Sequence, residues 1–278
     1  MNWLVVDKII EDALKEDSIY CDITTSAIVS PTSKCTVDLI SKEEGIIAGL
    51  PVFQRVFSIL GDVDIQFFVT DGDRVEAGQT IGNIKGSTNN ILTGERIALN
   101  LLQRMSGIAT ITNKAVQLVK GTNTKILDTR KTTPNLRIIE KYAVVVGGGH
   151  NHRFSLSDGV LIKDNHIDAA GGIKEAVNKV RSNVSFVRKI EVEVENLDEV
   201  KEALEARADI IMLDNMGTET MADAVKLINN KSITEASGNM SLDNIREVAE
   251  TGVDYISLGM LTHSVKALDI SMKNLVIE

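Results

Sequence analysis

The sequence has few cysteines and no long apolar run. Its two cysteines, Cys21 and Cys35, are too few for a disulfide framework and lack close His or Cys partners at zinc-site spacing. We expect both to be reduced and structural. No apolar stretch approaches the length of a membrane span, and seven charged residues lie in the first twenty positions, where a signal peptide needs an apolar core. These absences predict a cytoplasmic protein.

Positive charge is also scarce. The chain has 30 Lys and Arg residues against 39 Asp and Glu residues, a formal net charge of -9. Because nucleic-acid binding needs a broad basic face, nucleic acid is excluded as the main partner. The glycines at 147–149 lack the spacing of a dinucleotide fingerprint, and no Walker lysine-serine sequence occurs. The sequence therefore excludes a nucleotide hydrolase.

Cationic side chains are concentrated in residues 128–166, beside the three glycines. The segment contains Arg130, Lys131, Arg137, Lys141, Arg153 and Lys163, with His150, His152 and His166. In an acidic chain, such a cluster predicts a site for a polyanion, since glycines let the backbone approach a ligand. The alternative is a solvated charged face, which is what runs of like charge usually form.

The chain has two regions of different periodicity. Residues 3–15 have the pattern of an amphipathic helix, and short strands such as 36–40 and 65–69 follow, which indicates an α+β region. A long helix is predicted over residues 90–119, with an interruption at residues 106–107.

After residue 121, strand and helix patterns alternate. Strands are predicted at 125–127, 159–162, 189–194, 209–213, 232–236 and 254–258, with helices at 173–180, 197–205, 221–228 and 242–250. Alternation of this kind predicts a parallel sheet, either a barrel or a doubly wound sheet.

Polar residues or glycine stand at the carboxyl end of every one of these strands. The strand ends carry residues 128–131, 163–165, Glu193, 214–215, 237–239 and Gly259. Ligands of parallel α/β folds bind at the carboxyl ends of the strands, so these residues are expected to converge.

The charges at the strand ends fall into two groups. The cations, Arg130, Lys131, Arg153 and Lys163, suit carboxylates or phosphates. Glu193 and Asp214 suit hydroxyls, a divalent cation or a developing positive charge, unless they only pair with neighbouring lysines. The small residues at 237–239 and Gly259 can present backbone N–H groups to a phosphate. A sugar phosphate would fit both groups.

The motifs at these positions resemble a known family. Residues 126–134 read ILDTRKTTP, 147–153 read GGGHNHR, 161–166 read LIKDNH, 191–194 read EVEV, 213–215 read LDN and 235–238 read EASG. This pattern is similar to that of the carboxylating nicotinate-nucleotide pyrophosphorylases, also called quinolinate phosphoribosyltransferases. The resemblance covers essentially the whole chain in order.

The resemblance implies a reaction and a fold. A pentosyltransferase of this kind joins quinolinate to phosphoribosyl pyrophosphate, giving nicotinate mononucleotide, pyrophosphate and CO2 on the route to NAD, with Mg2+ and no organic cofactor. The implied fold is an N-terminal α+β sandwich, residues 1–112, followed by an incomplete, open α/β barrel, residues 113–265. The tail at 266–278 is expected to pack back on the first domain.

The resemblance also implies roles for individual residues. Arg130, His152, Arg153 and Lys163 would hold quinolinate, and Lys131, Glu193 and Asp214 would be catalytic, the last two also contacting Mg2+, directly or indirectly. Ser237, Gly238, Asn239 and Gly259 would hold the 5-phosphate, with Thr129, Leu258 and Met260 also binding substrate. Members of the family form dimers or larger assemblies in which an arginine, here Arg96, enters the neighbour's site. Arg137 and Lys141 would be supporting residues.

Three departures and two rival hypotheses remain. Cys21 stands where the family's front motif has glycine, which affects only a local turn. Asn135 and Asn239 occupy positions where glycine is common, which is tolerable because asparagine accepts positive φ better than most residues. Lys163 could instead form a Schiff base in an aldolase-like barrel. The chain could also be a non-catalytic anion-binding relative, although the quinolinate-binding positions carry no substitution.

Overall fold

The computed structural model describes residues 1–18 and 21–278, which divide into two compact units. The first unit comprises residues 1–113, 132–148 and 261–278, and the second comprises residues 114–131 and 149–260. None of the helices in the described ranges combines the length and the apolar character needed to cross a bilayer. The domain boundary predicted at residues 112 and 113 stays a prediction.

The first unit contains an antiparallel sheet with strand order β12-β1-β5-β3. Its strands are β1 (Lys34–Ser41), β3 (Val63–Phe67), β5 (Thr80–Ser87) and β12 (Ile270–Ile277), and β2 (Gly45–Ile46) pairs separately with β4 (Arg74–Val75). Alternate residues of β1 are buried, as expected for a strand with one face on the core. The edge strand β12 comes from the C-terminal tail, where Ile270 pairs with Ser41.

The helices of the first unit begin with the predicted amphipathic helix. The described helices are α1 (Trp3–Asp17), α2 (Ile23–Ile28), α3 (Leu50–Leu60), α4 (Thr88–Leu118), which continues to the start of the second unit, and α5 (Arg137–Val146). The predicted interruption of α4 was wrong, because the helix is continuous through Ser106 and Gly107. Ser106 Oγ instead bonds the backbone of Ala48, and a Cβ on Gly107 would lie 2.3 Å from the carbonyl of Lys266. The pair therefore marks close packing.

The second unit is built on a parallel sheet of six strands. Its strands are β6 (Lys125–Leu127), β7 (Val160–Ile162), β8 (Ile190–Val194), β9 (Ile210–Asp214), β10 (Ile233–Ser237) and β11 (Tyr255–Ser257). Its helices are α6 (Asp164–Ala170), α7 (Ile173–Asn183), α8 (Leu197–Glu205), α9 (Thr218–Ile228) and α10 (Ile245–Glu250), and α11 (Met260–His263) starts at its last residue. The predicted fold class is confirmed.

The order of this sheet is β6-β11-β10-β9-β8-β7, so β6 and β7 are its two edges. The segment after α5 passes along the β6 edge, where the N–H of His150 donates to the carbonyl of Ile126 at 2.8 Å. The N–H of Asp128 in turn donates to the carbonyl of His150 at 3.1 Å. These bonds continue the parallel pairing beyond β6, which fits the expected incomplete barrel.

The strand register brings the predicted strand-end residues together. Ser237 on β10 is directly opposite Asp214 on β9, and Glu193 on β8 is opposite Met212 on β9. Since side chains alternate between the two faces of a strand, Met212 and Asp214 point the same way. Glu193, Asp214 and Ser237 therefore project from one face at the carboxyl ends of three neighbouring strands.

Candidate active site

A cavity of about 620 Å³ lies at the carboxyl ends of the strands of the second unit. It is lined by Thr129, Arg130, Lys131, His152, Arg153, Leu161, Lys163, Glu193, Met212, Asp214, Asn215, Glu235, Ser237, Gly238, Asn239 and Ser257. Most of the site residues predicted from the sequence are among them, and residues from five of the six predicted strand ends meet at this cavity.

Two arginines form the cationic side of the cavity. Arg130 follows β6, and Arg153 follows the segment that is bonded to the β6 edge. The guanidinium of Arg153 donates to the carbonyl of Gly159 at 3.0 Å. Burial lowers the pKa of Arg153, and the neighbouring charge of Arg130 lowers it further. Two neighbouring guanidinium groups that are partly buried repel each other, and a bound anion would stabilise them. Each group can bind a carboxylate through two parallel N–H···O hydrogen bonds.

Carboxylates form the opposite side. Lys163, the residue after β7, places Nζ 2.5 Å from Oε2 of Glu193 on β8. Asp214, the last residue of β9, accepts a hydrogen bond from Nδ2 of Asn215 at 2.6 Å. One cation and two carboxylates therefore lie at the ends of three adjacent strands, and the ion pair holds Lys163 at the boundary between the cationic and acidic sides.

The loop after β10 is fixed by its neighbour after β9. Gly238 has φ of 82°, and a Cβ there would lie 2.2 Å from Oδ1 of Asn215. Nδ2 of Asn239 donates to the same oxygen at 3.0 Å. Asn239 has φ of 47° and Asn135 has φ of 67°, so the positive φ expected for these two asparagines is confirmed. Asn215, which orders the loop, was predicted at a strand end but was given no role of its own.

A histidine and two buried glutamates, which we call the buried cluster, lie beneath the cationic side. Nε2 of His152 is 3.2 Å from Oε2 of Glu191 and 3.5 Å from Oε2 of Glu235. The two glutamates are 3% and 2% exposed. Burial and the neighbouring charge of Glu191 raise the pKa of Glu235. The neutral form of this carboxyl is therefore favoured in the folded protein.

Sequence reasoning missed both glutamates of the buried cluster, although a signal existed. Glu191 and Glu193 are alternate residues of β8, as Glu235 and Ser237 are of β10. Alternate residues of a strand share a face. Because Glu193 and Ser237 were predicted to face the site, Glu191 and Glu235, two residues earlier on the same strands, could have been predicted to face it too.

Four predicted site residues do not line this cavity. Leu258 is buried, with its N–H bonded to the carbonyl of Leu127 at 2.9 Å, and Gly259 and Met260 follow it after β11. Arg96 is exposed on α4 in the first unit. Their proposed contacts with substrate stay predictions.

The remaining members of the cationic segment have structural positions. Nδ1 of His166 accepts the backbone N–H of Lys163 at 3.1 Å and so caps α6. In the first unit, Arg137 donates to Oγ1 of Thr132 at 2.9 Å, and Lys141 is buried on α5.

Comparisons with known proteins identify the family of this chain. Residues 22–106 match the model of the quinolinate phosphoribosyl transferase N-terminal domain, and residues 108–273 match that of the C-terminal domain. A probable carboxylating nicotinate-nucleotide pyrophosphorylase of Bacillus subtilis is 46% identical over 274 residues, covering 98% of this chain and 94% of that protein. The chain belongs to the quinolinate phosphoribosyltransferase family.

Solved structures give the same result. The crystal structure of NadC from Streptococcus pyogenes superimposes with a TM-score of 0.97 at 46% identity, covering 100% of this chain and 99% of that one. The nicotinate-nucleotide pyrophosphorylase from Francisella tularensis gives a TM-score of 0.94 at 40% identity, covering 100% and 98%.

The raised pKa of Glu235 predicts a pH-dependent contribution to stability. Between the ordinary glutamate pKa and the raised value, the folded protein keeps a proton that the unfolded chain has lost. Stability from this group therefore declines as pH rises. We expect the free energy of unfolding of Glu235→Gln, relative to wild type, to increase from about pH 5 to about pH 8 in urea titrations. A constant difference across this range would contradict the prediction.

Proposed function

We propose that this protein transfers the phosphoribosyl group of phosphoribosyl pyrophosphate to quinolinate and releases pyrophosphate and CO2. The product is nicotinate mononucleotide, a precursor in the de novo synthesis of NAD. The observation that carries this proposal is the division of one cavity into a side with two close guanidinium groups and a side with two carboxylates. A dicarboxylate acceptor needs the first side, and a ribosyl cation needs the second.

Quinolinate is assigned to the cationic side. Its two adjacent carboxylates match the planar guanidinium groups of Arg130 and Arg153, each of which can donate two parallel hydrogen bonds. An ammonium group, which acts as a single point charge, would match a carboxylate less well. Lys163 has three N–H groups, one of which serves Glu193 in this structure, so it keeps donors for a substrate carboxylate. His152 also lines this cavity.

The ribosyl group is assigned to Glu193 and Asp214. As the pyridine nitrogen attacks C1 of the ribose, the bond from C1 to the pyrophosphate oxygen breaks and the leaving group takes the electron pair. The sugar then carries positive charge, which carboxylates held by the sheet stabilise without reorganisation. Lys131, exposed at the cavity rim, would neutralise the departing pyrophosphate. Loss of CO2 leaves its electron pair at C2 beside the pyridinium nitrogen, and a proton replaces the carboxylate.

The 5-phosphate is assigned to the loops after β10 and β11. Gly238 has φ of 82° and no side chain, and glycines of this kind can present a backbone N–H to a phosphate. Ser237 and Asn239 add polar side chains. The proposed set is completed by Thr129, Leu258, Gly259 and Met260.

Magnesium fits the donor set of this cavity. Mg2+ commonly binds one or two carboxylates together with substrate phosphates and water. Glu193 and Asp214 supply carboxylate oxygens of this kind, although Lys163 and Asn215 already bond one oxygen of each. The ion would neutralise charge on the pyrophosphate. The proposed reaction needs no organic cofactor.

We further propose a dimer or a larger assembly that works in the cytoplasm. Arg96 is exposed on α4, where it is available to a neighbouring subunit. Cys21 and Cys35 are both free thiols, as expected in a reducing compartment.

The Schiff-base alternative finds no support in the position of Lys163. Its Nζ forms an ion pair with Glu193, whereas a Schiff base requires the neutral amine.

The first test of this proposal is the reaction itself. Purified protein incubated with quinolinate, phosphoribosyl pyrophosphate and Mg2+ is expected to form nicotinate mononucleotide, detected by chromatography. Nicotinic acid in place of quinolinate is expected to give no product, because it lacks one of the two carboxylates that the paired arginines bind. Absence of product with quinolinate at high enzyme concentration would refute the proposal.

Removing one group from each side of the cavity tests the division of roles. Arg153→Ala is expected to raise KM for quinolinate about 100-fold, because it leaves a substrate carboxylate without its partner. Arg153→Lys keeps the positive charge but loses the two parallel N–H donors of the guanidinium. Its KM for quinolinate should therefore lie between that of Arg153→Ala and that of wild type. Asp214→Ala is expected to lower kcat about 100-fold with a smaller change in KM, because it removes stabilisation of the ribosyl cation.

Steady-state kinetics with each substrate varied in turn separates these effects. If Arg153→Ala and Asp214→Ala changed KM and kcat in equal proportion, the two sides would not have different roles.

Subunit mixing tests the role of Arg96. At a quinolinate concentration near the wild-type KM, Arg96→Ala and Arg153→Ala are each expected to be nearly inactive alone. After dissociation and random reassociation of equal amounts, activity should recover to about one quarter of wild type. Half of the dimers are then mixed, and one of the two sites in each is intact. No recovery would show that Arg96 does not act across a subunit interface.

A further inference from the structure

Both ring nitrogens of His152 have partners within the protein. Nδ1 accepts the backbone N–H of Arg153 at 2.7 Å, so this nitrogen carries no proton. The proton of the neutral ring is therefore on Nε2, which faces Oε2 of Glu191 at 3.2 Å and Oε2 of Glu235 at 3.5 Å. The side chain is only 13% exposed, which leaves little of the ring to contact a ligand.

The two carboxylates of the buried cluster are suited to hold this ring. Oε1 of Glu191 and Oε1 of Glu235 are both buried and have no hydrogen-bond partner. Two buried carboxylates that face one N–H cannot both be charged without a large cost in desolvation, and burial raises the pKa of Glu235. Oε2 of Glu191 faces Nε2 of His152, and Glu191 also acts electrostatically on Arg153.

The backbone around His152 is fixed from the other side. The N–H of His152 donates to Oδ1 of Asp128 at 2.8 Å, and Asp128 is completely buried. The guanidinium of Arg153 is bonded to the carbonyl of Gly159. The backbone of Arg153 thus lies between the bond from His152 to Asp128 and the bond from its own guanidinium to Gly159. The His152 ring fixes this backbone by accepting the N–H of Arg153.

We propose that His152 is a positioning residue for Arg153. Its neutral ring is held between the N–H of Arg153 and the carboxylates of Glu191 and Glu235, and it donates no ring N–H to the substrate. This inference rests on the proposed function only in naming quinolinate as the anion that Arg153 binds. Quinolinate is then held by the guanidinium groups and Lys163, and His152 acts on it through Arg153.

A double-mutant cycle tests the coupling. Glutamine at position 152 can place an amide nitrogen near Nε2 but has no atom at Nδ1, so it loses the bond to Arg153. We expect His152→Gln to weaken quinolinate binding about tenfold in the wild-type background and by less than about twofold in Arg153→Ala, measured by calorimetry. Equal losses in both backgrounds would mean that His152 contacts quinolinate independently and would overturn the proposal.

A matched variant distinguishes the two ring nitrogens. Asparagine places Oδ1 where Nδ1 was and can still accept the N–H of Arg153. We expect His152→Asn to lose less quinolinate affinity than His152→Gln, with thermal unfolding confirming that both variants fold. An equal or greater loss would overturn the proposal.

Nitrogen NMR of the free protein tests the tautomer without turnover. In 15N-labelled wild type at neutral pH, with the ring signals assigned by comparison with His152→Asn, we expect one protonated and one unprotonated nitrogen. Addition of quinolinate should leave this state unchanged. Protonation of both nitrogens, before or after addition, would overturn the proposal. If the enzyme formed no nucleotide, the proposed function would fail, while the spectrum of the free protein would still decide the state of His152.

Discussion

The bonding of the segment around His150 to the edge of β6 is the constraint on which the site depends. An edge strand leaves backbone groups that need partners, and the N–H of His150 and the N–H of Asp128 provide two reciprocal bonds there. The buried carboxylate of Asp128 then takes the N–H of His152. Because the chain is held at this edge, Arg153 reaches the same cavity as Arg130, from a part of the sequence more than twenty residues later.

Separation of charge within a single cavity follows from the parallel sheet. The arginines are on segments at the β6 edge, whereas Glu193 and Asp214 project from β8 and β9 near their carboxyl ends. The strand register fixes the carboxylates, so they are in place before a cation develops on the sugar. The family to which the chain belongs is named for an acceptor with two carboxylates and a phosphorylated sugar donor, and each side of the cavity suits one of these partners.

Local pattern predicted much of this arrangement, and non-local pairing accounts for what it missed. Apolar runs that end in Glu193 or Asp214 identified the strand ends and, with the alternation of strands and helices, the parallel sheet. Alternation along β8 places Glu191 on the same face as Glu193. The buried cluster was nevertheless missed, because only the pairing of segments far apart in sequence brings Glu191 to His152. The pairing of β12 with β1 joins segments more than 200 residues apart. The glycine at position 107 was misjudged because its partner, the chain at Lys266, is also distant in sequence, 159 residues later.

A crystal structure of the protein with quinolinate bound is the most direct test of this account. The account predicts that the two carboxylates lie within about 3 Å of guanidinium nitrogens of Arg130 and Arg153. The pyridine nitrogen should face Glu193 and Asp214, where the ribose would bind. Quinolinate bound outside this cavity, or with its carboxylates away from both arginines, would contradict it.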